Sequence, residues 1–326
     1  MKPKQHRDWI RIRGRDFEVW EQLSLPNRGR WKIRDPEPLP KGTMLAAILL
    51  PSDTRARQLL KSYARIPSSH SNLPRLVTSE NRNGTLSMVV TWCEGIDVAS
   101  YLDAVTSGRW KRPSASEVVR RFKSLAYSLA VLHNTCRIVH GDIKPPNLIF
   151  PNDPGSMAMI DFGSSWQMER TATRDLGDGT DEYYSAPEVF LELPKVDARA
   201  DQFSAAVVLY EMLTLKLPYA GLGGKAGHPG YEDAASRFVP PSAHISDREQ
   251  IPPSILKQID QVLETALQLE PNHRFPTTMH FAKALDAICL NFKIAESESE
   301  HKEESFWQTL HRWTFNTDQK KFGNPT

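Results

Sequence analysis

Val139-His140-Gly141-Asp142-Ile143-Lys144-Pro145-Pro146-Asn147 is the stretch that decides how the rest of this chain is read. Asp161-Phe162-Gly163 begins fourteen residues after Asn147, and Ala186-Pro187-Glu188 closes the segment. A carboxylate, a lysine two residues on, an amide five residues on and a second carboxylate bring one cation and several hard oxygen donors to fixed offsets. Taken singly, each would be an ordinary surface polar residue. Their joint spacing makes coincidence a poor explanation.

The set resembles the catalytic and metal-binding motifs of the eukaryotic-like Ser/Thr protein kinase family. That resemblance implies an α+β, two-lobed protein kinase-like fold, with a small β-rich N-lobe carrying one helix and a larger helical C-lobe. It implies Asp142 as the catalytic base and Lys144 as the lysine that reaches the transferring phosphate. Asn147 and Asp161 become the two magnesium ligands, with ATP and Mg2+ as cofactors. By the same resemblance Glu188 is expected to pair with Arg274, in Pro271-Asn272-His273-Arg274-Phe275, and Asp201 to hold the catalytic-loop backbone. Gly179-Thr180 and Ile143-Lys144-Pro145 favour Ser/Thr over Tyr substrates. Gly141 stands where many members carry the arginine that receives an activation-loop phosphate. Phosphorylation of Thr171, Thr173 or Thr180 therefore has a weaker route to the site.

The N-terminal half departs further from the family. Laying Phe17-Glu18-Val19 on the usual first strand puts Ser24, Pro26 and Gly29 at the three loop glycines, and only Gly29 survives. Glycine there lets backbone N–H groups approach phosphate, and proline removes one such donor. Along Gly42-Thr43-Met44-Leu45-Ala46-Ala47-Ile48-Leu49-Leu50-Pro51, Ile48 takes the place of the phosphate-binding lysine. No acidic residue occurs from Thr54 to Ser79, and Leu59 falls where its glutamate partner belongs. An aliphatic pair can replace a buried ion pair at little cost in stability, so the lobe can fold without its clamp. Arg28, Arg30 and Lys32 are candidates for a relocated cation, against a solvated basic turn. Val89-Val90-Thr91-Trp92-Cys93-Glu94-Gly95 aligns Val90 with the gatekeeper and gives Thr91 and Cys93 the adenine contacts of the hinge.

Local patterns agree with this order. Strands are expected at Phe17–Leu23, Arg30–Arg34, Met44–Leu50, Arg75–Thr78 and Leu86–Trp92, with a helix from Thr54 to Arg65 capped by Asp53. Ser114 and Glu117 form a capping box before a helical stripe from Val118 to Leu132. Phe203–Leu213 is apolar on nearly every face and belongs inside the larger lobe. Ile255 to Leu269 and Phe281 to Leu290 are further helices. Gly221-Leu222-Gly223-Gly224-Lys225-Ala226 lacks the Walker spacing and reads as a flexible loop.

Across 326 residues, 40% hydrophobic and 25% charged content suits a globular protein with a sizeable core. The net charge of +2 argues for no particular partner, and no nucleic acid is expected. The basic segment 1–13 reads as a solvated arm in front of the kinase-like domain, 14–290, whose lobes meet between residues 93 and 94. Residues 291–326 form a charged and aromatic tail in which Phe306, Leu310 and Trp313 recur at helical spacing, open to docking on the domain itself or on a partner. Cys93, Cys136 and Cys289 show neither metal nor disulfide spacing. No apolar run approaches a membrane span, and the reading is cytoplasmic. Two functions stay open: a Mg-ATP-dependent Ser/Thr protein kinase acting on protein hydroxyls, and a pseudokinase serving as a nucleotide-sensing or scaffolding module for a partner protein.

Overall fold

The computed structural model describes residues 8–23, 29–36, 43–168, 181–191 and 196–318, with no side chain described for Phe190 or beyond residue 298. The N-lobe is one antiparallel sheet in the order β1-β2-β3-β4-β6-β5. Its strands are β1 (Trp9–Ile12), β2 (Arg15–Gln22), β3 (Arg30–Arg34), β4 (Met44–Pro51), β5 (Leu76–Arg82) and β6 (Thr85–Thr91). β1 is a correction to the sequence reading, which left residues 9–12 in the basic arm. It pairs with β2 through Ile10↔Phe17 and Ile12↔Arg15. The reason is alternation: Ile12 is buried with Phe17, Ile33, Leu45, Ala47 and Val89, while Trp9 and Arg11 are exposed.

Helix α1 (Thr54–Arg65) starts where Asp53 accepts from the Ala56 amide at 2.7 Å. Its buried face, Ala56, Leu59, Ser62 and Tyr63, lies against the sheet and the Asp161-Phe162-Gly163 turn. After the hinge, β7 (Ile96–Asp97) pairs with β9 (Leu148–Phe150), which pairs with β10 (Ala158–Met159). β8 (Ile138–Val139) pairs with β11 (Trp166–Gln167). These short ribbons hold the loop of residues 140–147 at the lobe boundary.

The C-lobe core is built by α2 (Val98–Thr106), α3 (Ala115–Asn134), α4 (Pro187–Phe190), α5 (Arg199–Thr214), α6 (Pro253–Ala266) and α7 (Thr278–Asp318). Ser114 caps α3 by accepting from the Glu117 amide, and α5 is buried on nearly every face, both as expected. Helix α7 is longer than the sequence reading made it. It continues through the charged run to Asp318 because no glycine or proline interrupts residues 291–318 and Glu and Lys favour helix. A further correction concerns the glycine-rich segment at 221–226. Gly223 and Gly224 are buried beneath the carbonyls of Tyr183 and Ser185, and Gly224 donates to the Tyr183 carbonyl at 2.7 Å. Any Cβ at these two positions would overlap that backbone. The segment is a packed support for residues 183–185.

Candidate active site

Asp201, at the start of α5, is fully buried and organises the loop before Asp142. Its carboxylate accepts from the amides of His140 and Gly141 at 2.7 and 2.9 Å and meets His133 Nε2 at 2.8 Å. Burial works to raise this carboxyl, but the hydrogen bond and charge of His133 outweigh it and hold it below the usual range. His133 is fixed in turn by Thr278 at 2.7 Å. The loop backbone is thus pinned to α3, α5 and α7 together.

From that anchor the loop carries Asp142 to the cleft. Lys144 Nζ lies 3.0 Å from Asp142 Oδ1, and Asn147 Nδ2 donates to Asp142 Oδ2 and to its carbonyl, both at 2.8 Å. With its amide nitrogen so engaged, Asn147 has Oδ1 left as a hard acceptor. Asp161 adopts a left-handed conformation (φ 63°), and its Oδ1 accepts from the Gly163 amide at 3.1 Å. Phe162 is buried between Tyr63 and His140, with ring centroids 5.4 and 4.8 Å away. That packing ties the Asp161 turn to α1 on one side and to the catalytic loop on the other. Gln58 Nε2 to the Ser165 carbonyl (3.2 Å) and Ser165 to Ser62 (3.0 Å) add polar links between α1 and the same turn.

Ile48 and Leu59 are both buried, at 7% and 5% exposure, in the cluster that includes Phe162. No charge stands at either position. A guanidinium reaches the cleft from the neighbouring strand. Arg30 faces Ile48 across the β3–β4 ladder, and its guanidinium forks onto Asp161, Nη1 to Oδ2 at 2.7 Å and Nη2 to Oδ1 at 3.0 Å. Burial pulls the Asp161 carboxyl upward, yet the hydrogen bonds and charge of Arg30 prevail and keep it low.

Lys32, also a candidate, sits two residues nearer the hinge. Its ammonium is 3.3 Å from Glu94 and 4.5 Å from the Trp92 ring centroid, so the structure does not bring it to Asp142, Asn147 or Asp161. Arg28 lies outside the described residues, as do Ser24, Pro26, Thr171, Thr173 and Thr180. Gly29 has φ 48° and its carbonyl accepts from the Leu49 amide at 2.7 Å; a Cβ there would overlap the Leu49 carbonyl. Val90 is buried at the cleft end of β6, in register with Leu76 on one side and Ala46 on the other. The Thr91 amide and hydroxyl are engaged by Arg75. Burial pushes the Cys93 thiol up to about 11, so it is a neutral hinge residue.

A support of the larger lobe stands as expected. Arg274 grips buried Glu188 with two bonds, 2.6 and 2.8 Å. Its remaining donors reach the carbonyls of Gln268, Leu269 and Arg199.

A two-lobed fold whose cleft gathers Asp142, Lys144, Asn147 and Asp161 is that of a protein kinase. The family model for the protein kinase domain matches residues 54–285, and the chain belongs to that family. The match starts at the first residue of α1, after the divergent strands β1 to β4. Over 239 residues the chain is 29% identical to mitogen-activated protein kinase kinase 2 of Arabidopsis thaliana, covering 71% of this chain and 61% of that protein. It is 28% identical over 211 residues to a putative mitogen-activated protein kinase kinase kinase 7-like protein of Drosophila melanogaster, covering 63% and 49%. Serine/threonine-protein kinase ATG1b of Arabidopsis thaliana is 29% identical over 157 residues, 47% of this chain and 21% of that protein. The chain thus spans between about a fifth and three fifths of these relatives.

Proposed function

We propose that this chain is a Mg-ATP-dependent Ser/Thr protein kinase. The observation that carries the reading is the arrangement around Asp142, whose carboxylate is held by Lys144 and Asn147 on a loop pinned by Asp201. Asp142 would orient a protein hydroxyl and take its proton as the new P–O bond forms and the bond to the ADP oxygen breaks. Lys144 would carry positive charge to the phosphoryl group in flight. The oxygen donors of Asn147 and Asp161 fit a hard divalent ion, since Asn147 Oδ1 is left over and Asp161 Oδ2, which accepts from Arg30 Nη1, keeps a second lone pair. Magnesium bound there would neutralise phosphate charge. Val90, Thr91 and Cys93 would meet adenine at the hinge, and Gly29 keeps the backbone close to β4. Three cysteines without disulfide partners support a reducing, cytosolic setting. Among the described residues no helix is long and apolar enough to cross a membrane.

One observation favours a second reading. Buried Ile48 and Leu59 leave the lobe without its Lys–Glu pair, as suits a pseudokinase that senses nucleotide or binds partners through its lobes or its C-terminal helix. Transfer of labelled γ-phosphate from ATP, with magnesium or manganese, to the protein itself and to a basic substrate separates the two. Incorporation lost in Asp161→Ala and Asp142→Asn supports the kinase. No incorporation, with a nucleotide-induced rise in melting temperature, supports the pseudokinase.

A further inference from the structure

Arg30 and Ile48 are cross-strand partners, so their side chains leave the sheet on the same face. Arg30 therefore starts from the strand beside the missing lysine and ends on the carboxylate that would hold a metal. Gly163 leaves room for this: a Cβ there would come within 3.0 Å of Asp161 Oδ1 and 3.5 Å of Arg30 Nη2. Other nearby cations among the described residues have other work. Lys144 is on Asp142, Lys32 is on Glu94, and Arg57 reaches the Ser52 carbonyl.

We infer that Arg30 and a divalent cation compete for Asp161, and that Arg30, once displaced, is the cation that grips the nucleotide phosphates in place of the lysine absent at position 48. The inference rests on the reading that this cleft takes nucleotide with a divalent ion. Its physics is simple. Two unlike donors can share one carboxylate, but a guanidinium and a dication a few ångströms apart repel strongly in a partly buried cleft. The more highly charged ion wins the carboxylate, and the guanidinium turns to the other negative groups in reach. Arg suits that second task because it carries five N–H donors in a planar fork that matches phosphate oxygens. The fork on Asp161 is then the contact that a divalent ion would have to displace.

The test uses the full chain and its Arg30→Gln and Arg30→Lys variants. Manganese binding without nucleotide is followed by the electron paramagnetic resonance of free Mn2+. Binding of a fluorescent trinitrophenyl-ATP is followed with magnesium present. Arg30→Gln should bind Mn2+ about tenfold more tightly and the nucleotide about tenfold more weakly, the scale of one charge-assisted contact. Arg30→Lys should fall between on both axes, and it serves alone if the glutamine variant does not fold. Unchanged Mn2+ affinity in the variants overturns the competition, and unchanged nucleotide affinity overturns the clamp. If the unaltered chain binds neither probe, the nucleotide reading falls and this inference falls with it; binding without phosphoryl transfer removes only the catalytic part of that reading.

Discussion

The Trp166 ring fills the space where a side chain on residue 141 would stand. Gly141 has φ 76°, and a Cβ built on it would overlap the indole and lie 2.9 Å from the Ser164 carbonyl. Trp166 reaches that place because β11 pairs with β8, Trp166 opposite Val139. The residue before Asp142 is thus excluded from being arginine by packing and backbone geometry together. Gly141→Arg should destabilise the domain by about 2–4 kcal/mol, from left-handed strain and overpacking combined. It should create no response to phosphate on the activation segment. Urea titration of the variant checks the first point, and a loss below about 0.5 kcal/mol would remove the steric account.

Glu188 and Arg274 form a buried bidentate pair at 2.6 and 2.8 Å. Removing one partner leaves the other charge buried, so Glu188→Ala or Arg274→Ala should each cost about 3–5 kcal/mol. The double variant should cost clearly less than the sum. Thermal or urea unfolding of all four proteins measures the coupling, and strict additivity would contradict the geometry.

Acid should unfold this protein through a small set of carboxyls. Asp201, Asp161 and Asp197 are all held below the ordinary range in the fold, against the upward pull of burial, by His133, Arg30 and Arg199 respectively. A depressed carboxyl adds stability above its unfolded value, about 4, and loses it as pH falls through the folded value. Stability should therefore be flat above about pH 5 and decline below it. Asp201→Asn should be less stable at neutral pH and show a shallower acid limb. Equal slopes in the variant and the parent between pH 5 and 3 would show that Asp201 is not one of the groups responsible.

How much of this was legible beforehand divides along a physical line. Asp142, Lys144, Asn147 and Asp161 stand out because the family resemblance fixes those residue types at those offsets. Glu188 with Arg274 and Asp201 follow from the same frame. Arg30 and Lys32 could not be separated in sequence, since both lie on one face of β3 and only their depth differs. Register against β4 puts Arg30 opposite Ile48 and Lys32 opposite Ala46, nearer the hinge. A single residue of slip would exchange the faces, and the bulge between Val19 and Glu21 shows that spacing alone does not fix such a hairpin. Strand β1 was hidden because basic residues flank it, Arg7, Arg13 and Arg15 among them, and its buried content is chiefly Ile12. The length of α7 was hidden by its acidic run, although the absence of glycine and proline up to Gly323 was the available signal.

Ile48 and Leu59 offer the sharpest test of what the lobe gave up. Both are buried in an apolar cluster, so Ile48→Lys alone introduces a charge with no acidic partner on α1, where none occurs from Thr54 to Arg65. It should cost about 3 kcal/mol or more, and Leu59→Glu alone a similar amount. Together they restore the pair that the family places between strand and helix, and each charge finds the other. The double variant should recover about 1–3 kcal/mol relative to the sum of the singles. A lysine restored at 48 should also make nucleotide binding less dependent on Arg30, so that adding Arg30→Gln to the double variant costs little affinity. Urea unfolding of the four proteins reads the first effect, and trinitrophenyl-ATP titration reads the second. Additive stabilities would mean that residues 48 and 59 do not face one another. A full loss of binding on removing Arg30 from the double variant would mean that the cleft has been rebuilt around Arg30 alone.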